Sequence, residues 1–210
     1  MDTVVYLVRH AEICAKSNFR NVDVKEEVHG ENQILSVSGE EKAKALSELE
    51  YLQNIDTIYS SNCAKSFATA KYIAQDNNTI INVDERLNER KIGNIGNMEW
   101  RDYLRLQMKN FDYKLPNGES LNETKKRMVD ALKNILMFES GNRIVVFSHS
   151  MALTCLLSAW CDMGFNYDGE IILSYNEETI VDGRWTAPMV IEVTFDGMNV
   201  KNIRLLDLEM

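Results

Sequence analysis

Several features are scarce or missing from this 210-residue chain, and each absence removes a class of protein. No two of the four cysteines (Cys14, Cys63, Cys155, Cys161) stand in a CxxC pair or at metal-ligand spacing, which argues against a zinc module or a dithiol redox site. No excess of positive charge exists. Against 32 Asp and Glu stand 23 Lys and Arg, a net charge of −9, whereas sequence-independent nucleic-acid binding needs an extended basic surface. No apolar run approaches the ~18 residues of a membrane span. The start Met1-Asp2-Thr3 carries no basic region and leads into too short an apolar run for a signal peptide. Repeats, low-complexity tracts and linkers are missing too. The expectation is a reduced, cytoplasmic chain forming a single domain over 1–210, with neither nucleic acid nor membrane as partner. Hydrophobic content of 45% and charged content of 26% suit an ordinary globular core.

Histidine is also scarce, with three residues, and two of them occupy equivalent positions. Val4-Val5-Tyr6-Leu7-Val8 reads as a buried strand, and Arg9-His10-Ala11-Glu12 follows at once. Ile144-Val145-Val146-Phe147 is a second such strand, followed by Ser148-His149-Ser150 and a helical run from Met151 to Trp160. A single histidine after a strand is commonly a satisfied structural residue. Two of them, in one parallel sheet, share the carboxyl rim where open α/β sheets bind ligands.

Between these strands the pattern alternates. A polar stretch over 13–36, containing Asn18 and His29, reads as a long surface loop beside the rim. Ser38 with Glu41 has the form of a capping box opening a helix with Ala43, Ala45, Leu46, Leu49 and Leu52 on one face. Strands are expected at 55–59 and 80–83, and helices carrying Phe67, Ala70 and Ile73, over 98–108 and over 121–138. After Trp160, short strands follow at 170–173, 179–181, 189–195 and 200–206, the last two as an antiparallel edge hairpin. The class is α/β with three layers: a mostly parallel central sheet, helices on both faces, and that C-terminal hairpin. Cys155 and Cys161 read as core packing, and Cys14 and Cys63 as surface residues.

Four further segments join Arg9-His10-Ala11-Glu12 in a fixed order. They are Ser60-Ser61-Asn62-Cys63-Ala64-Lys65-Ser66-Phe67-Ala68-Thr69-Ala70, Leu87-Asn88-Glu89-Arg90 with Gly93, Pro116-Asn117-Gly118-Glu119-Ser120, and Ser148-His149-Ser150. Together they resemble the histidine phosphatase superfamily, the phosphoglycerate-mutase-like proteins, over residues 3 to about 205. The resemblance implies a metal-independent phosphomonoester hydrolase for a small soluble phosphate ester, without a cofactor. His10 would be the nucleophile that becomes a phosphohistidine. Arg9 and His149, the latter as an imidazolium, would bind the phosphate, helped by the helix that begins there. Glu89 would protonate the leaving alcohol and later activate water. Glu12 has a structural role, such as orienting Arg9.

Two positions depart from the family pattern. Lys65 stands where the family has a second phosphate-binding Arg, and a point charge replaces a bidentate fork. Ile13 stands where the family commonly has a small hydroxyl residue. Two alternatives therefore accompany the phosphatase reading. One is a cofactor-dependent phosphoglycerate mutase, against which the segment after Glu89 offers Arg90, Lys91, Arg101 and Arg105 but no adjacent Arg pair. The other is a catalytically weak binding or regulatory module of the same fold.

Overall fold

Residues of the first strand alternate between two cores, and this alternation organises the molecule. The structure, a computed structural model, describes residues 1–14, 30–167 and 170–208. Strand β1 (Thr3–Arg9) pairs in parallel with β4 (Arg143–Ser148), with Arg9 opposite Ser148. Val5 and Leu7 of β1, with Ile144 and Val146 of β4, face one way. They pack on Met128, Leu132 and Ile135 of helix α4 (Leu121–Phe138) and on Leu153 and Leu156 of α5 (Ser150–Leu157). Tyr6 and Val8, with Val145 and Phe147, face the other way, onto Leu46 of α1 (Val37–Ser47) and Ile73 of α2 (Ala64–Asp76). Because successive strand side chains point to opposite faces, a continuous apolar run can fill both layers. The three-layer α/β expectation is met.

The central sheet has six strands in the order β3-β2-β4-β1-β8-β9. Strands β2 (Thr57–Ser60) and β3 (Ile81–Val83) continue the parallel half, and β8 (Met189–Asp196) and β9 (Asn199–Leu206) form the antiparallel edge hairpin read from the sequence. A separate antiparallel sheet joins β5 (Asp162–Phe165), β6 (Ile171–Tyr175) and β7 (Glu178–Asp182). Strand β5 carries no strand pattern in the sequence. Its Asp-Met-Gly-Phe is largely exposed and is held by pairing with β6. Helix α3 (Trp100–Lys109) precedes α4 and is attached through buried Tyr103 and Gln107.

Local corrections follow from specific contacts. The N-cap of α1 is Ser36, whose side chain accepts the Gly39 N–H, and not Ser38, whose hydroxyl goes to Glu12. A true capping box opens α4, between Ser120 and Glu123. Helix α1 stops at Ser47, and Leu52 belongs to a separate turn at Glu50–Leu52. Cys63 is not a surface residue: it is the buried N-cap of α2, whereas Cys155 and Cys161 are buried as expected. No helix among the described residues is long and apolar enough to cross a membrane.

Candidate active site

The register of the parallel strands carries four chain segments to one rim. Arg9 and Ser148 are paired, so His10 and His149 are the next residues of neighbouring strands, and the His10 N–H donates to the Ser148 carbonyl at 3.2 Å. Their rings meet edge to face with centroids 5.2 Å apart. Ser60 ends β2 opposite Phe147, which brings Ser61 and the start of α2 beside His149. Val83 ends β3 opposite Ser60 and feeds the segment leading to Glu89.

His10 is buried, and its Nδ1 lies 2.8 Å from the Ala11 carbonyl. A carbonyl only accepts, so Nδ1 carries the ring proton and Nε2 keeps the free lone pair. The loop is fixed in turn by Thr69, whose Oγ1 accepts the Ala11 N–H at 3.0 Å and donates to the Lys65 carbonyl at 2.8 Å. Burial, with lesser contributions from Lys65 and Arg9, pushes the His10 pKa down to about 3, so the ring is neutral and unprotonated at Nε2 near pH 7.

His149 is fully buried, with Nε2 2.9 Å from Ser61 Oγ and 3.4 Å from Ser66 Oγ. Burial, reinforced by His10 and the cations Lys65, Arg127 and Arg9, holds it well below the usual histidine range. In the unliganded protein it is neutral. The imidazolium expected of His149 concerns the phosphate-bound state, in which an anion would offset part of this desolvation. Among the described residues its Nδ1 has no hydrogen-bond partner, and neither does the buried Nε of Arg9. Arg9 is itself oriented by the Trp185 and Thr186 carbonyls, which its Nη1 contacts, the latter at 3.2 Å.

Lys65, 8% exposed, donates to Gln33 Oε1 at 2.9 Å. Burial pulls its pKa below the ordinary lysine value, while the Cys63 and Glu89 side chains favour its charge. Glu89 sits against the start of α5. Its Oε1 accepts N–H groups of Arg90 (2.8 Å) and Ala152 (2.9 Å), and its Oε2 accepts that of Met151 at 3.3 Å.

Arg9, His10, Lys65 and His149 are thus assembled around one rim, with Glu89 reaching the same helix start. Glu12 is not part of it. Its carboxylate faces Lys42 (2.9 Å), Ser36 (3.2 Å) and Ser38 (3.4 Å) on α1 and does not orient Arg9. Gly39 makes this approach possible, since a Cβ there would lie 2.0 Å from the Glu12 carbonyl oxygen. Ile13 forms an isolated antiparallel bridge with Leu35. Asn18 and His29 lie outside the described residues. Ser61, Ser66, Thr69 and the Trp185 carbonyl are site residues that the sequence did not single out. Ser61, Ser66 and Thr69 lie within the quoted segment, but a carbonyl contact such as that of Trp185 has no side-chain signature. Among the described residues no group of three His, Cys, Asp or Glu side chains could hold a metal ion.

Family comparison agrees with this geometry: residues 5–186 match the histidine phosphatase superfamily (branch 1), and the chain belongs to it. It is 32% identical over 163 residues to a protein of Citrobacter koseri named probable phosphoglycerate mutase GpmB, covering 73% of each chain. The corresponding protein of Escherichia fergusonii is 33% identical over the same length, again covering 73% of each. Among solved structures, a mycobacterial glucosyl-3-phosphoglycerate phosphatase superposes with a TM-score of 0.65 at 16% identity, covering 98% of this chain and 97% of that one. The α-ribazole phosphatase of Shigella flexneri superposes with a TM-score of 0.65 at 18% identity, covering 97% and 95%. These likenesses share the fold.

Proposed function

We propose that the protein is a metal-independent phosphomonoesterase that works through a phosphohistidine on His10. One observation carries the reading. Two buried nitrogens, Arg9 Nε and His149 Nδ1, have no partner among the described residues, and they stand beside a histidine whose other ring nitrogen is already committed. Buried polar atoms are rarely left unpaired, and a phosphoryl group supplies the acceptors both would need. Ser61 Oγ is contacted by the Cys63 N–H at 3.4 Å, so its hydroxyl proton is available to His149 Nε2. The His149 proton then resides on Nδ1 and can be donated to a phosphate oxygen.

In the first step the His10 Nε2 lone pair attacks phosphorus, the ester P–O bond breaks, and Glu89 gives its proton to the departing alkoxide. In the second, water attacks the phosphohistidine, the P–N bond breaks, and the Glu89 carboxylate takes the proton from water. Arg9 and Lys65 offset the charge on the transferring group. Hydrolysis of p-nitrophenyl phosphate without added metal, with rapid-quench capture of an acid-labile adduct on His10, tests the reading. Undiminished turnover in His10→Ala rejects it.

The mutase reading has support in the names of the relatives at 32–33% identity. Against it, Arg90 is buried and bonded to Tyr103 and Gln107, and Arg105 pairs with Asp102 on the surface of α3. Interconversion of 2- and 3-phosphoglycerate faster than release of inorganic phosphate would establish it.

A further inference from the structure

Glu89 lies in irregular chain between the turn Glu85–Leu87 and α3, and such backbone holds a carboxyl steady only where other groups fix it. Arg127, on α4, directs one edge of its guanidinium at this stretch and the other at Glu119. Its Nη1 donates to the carbonyls of Arg86 (2.8 Å) and Asn88 (2.9 Å), and its Nη2 to that of Glu89 (3.3 Å). Its Nε and Nη2 also bind the two carboxylate oxygens of Glu119 at 2.7 and 2.8 Å. These contacts occupy all five N–H donors of an arginine.

Glu119 completes the grip from the far side. Its Oε2 accepts the Lys91 N–H at 2.9 Å, and its own N–H donates to the Lys91 carbonyl at 2.8 Å. Residues 86, 88, 89 and 91 are therefore bonded by one ion pair, before and after the carboxyl-bearing position. Gly93, at φ +80°, lets the next turn lie against Pro116 and Gly118, where a Cβ would come within 2.6 Å of backbone.

We propose that Arg127 and Glu119 form a positioning pair that aims the Glu89 carboxyl at the leaving-group oxygen and so sets the efficiency of proton transfer. The proposal rests on Glu89 being the proton donor, as read above. A purely stabilising role fits the arrangement less well. Ion pairs with side chains only 20% and 19% exposed lose much of their attraction to desolvation, and packed apolar groups would stabilise at least as well. The guanidinium bonds converge instead on the main chain of one short segment, and Glu89 is the side chain of that segment with a chemical task. The planar fork is essential to the geometry, because an ammonium cannot reach three carbonyls and a carboxylate together.

The test uses kcat/KM for an alkyl phosphate, whose leaving group needs the proton, and for nitrophenyl phosphate, whose leaving group does not. In Arg127→Lys the alkyl ester should lose about 10²-fold, the scale of a small misplacement of a reacting group, and the aryl ester less than about threefold. In a Glu89→Gln background, Arg127→Lys should cost the alkyl ester nothing further. Glu119→Gln, a milder change, should show the same discrimination, and it decides the matter if Arg127→Lys fails to fold. Equal losses on both esters, or losses that multiply with Glu89→Gln, overturn the positioning role. Where Glu89→Gln discriminates and neither Arg127→Lys nor Glu119→Gln does, the pair alone falls. If Glu89→Gln itself treats both esters alike, the assignment of Glu89 falls and takes the pair with it.

Discussion

His10 and His149 stand edge to face at the ends of paired strands, their ring centroids 5.2 Å apart, with the charges of Arg9 and Lys65 close enough to act on both rings. Two imidazoles in such surroundings resist protonation. The buried pair therefore stores a pH dependence.

An unfolded histidine takes up its proton near pH 6.5, but His10 does so near 3 and His149 also well below its ordinary value. Below pH 6.5 the unfolded chain binds protons that the folded chain refuses, so stability is full above that pH and falls as acid is added. Each histidine contributes a slope of up to ~1.4 kcal/mol per pH unit. Urea midpoints from pH 7.5 to 4.5 should show the decline, and His149→Asn should flatten it. An unchanged slope in that variant would remove His149 from the account.

Lys65 should make phosphate inhibition fade at alkaline pH. Burial lowers its pKa, so the amine loses its charge sooner than an exposed lysine would. In Lys65→Arg the charge persists and the alkaline weakening should vanish. Lys65→Ala should raise the phosphate inhibition constant roughly tenfold or more, the scale of a charge-assisted hydrogen bond. Inhibition constants from pH 7 to 10 that are the same in all three proteins would make Lys65 a bystander.

Thr69 should matter to both folding and turnover. Thr69→Val keeps the shape but leaves the Ala11 N–H without its acceptor, at a cost of about 1–3 kcal/mol. Because the Ala11 carbonyl holds the His10 tautomer, kcat should fall as well. Thr69→Ser retains the hydroxyl and should preserve both quantities. Chemical denaturation and steady-state turnover of the two variants decide it.

Much of the architecture was legible because its signals are local. The apolar runs of β1 and β4, the amphipathic stripe of α4 and the turn at Asp196-Gly197 each declare their element through neighbours a few residues apart. Strand β5 did not, since its pairing with β6 supplies what its composition lacks. The cap of α1 was misplaced by two residues because both Ser36 and Ser38 have capping chemistry, and only the position of Ser36 relative to the Gly39 N–H, set by where the helix starts, separates them.

The sequence by itself determined which chemical groups are available: a cation and an imidazole after one strand, an imidazole after another, a carboxylate in a loop. Their order, matched to a family, also identified the superfamily. Only the tertiary structure decided the protonation state of the histidines, because desolvation depends on what surrounds a ring in space. It also decided that Glu12 faces α1, that Arg90 is buried against α3, and that Arg127 grips the Glu89 segment. Each is a contact across 17 to 39 residues, and sequence carries no record of such a contact until the register of the strands brings its partners together.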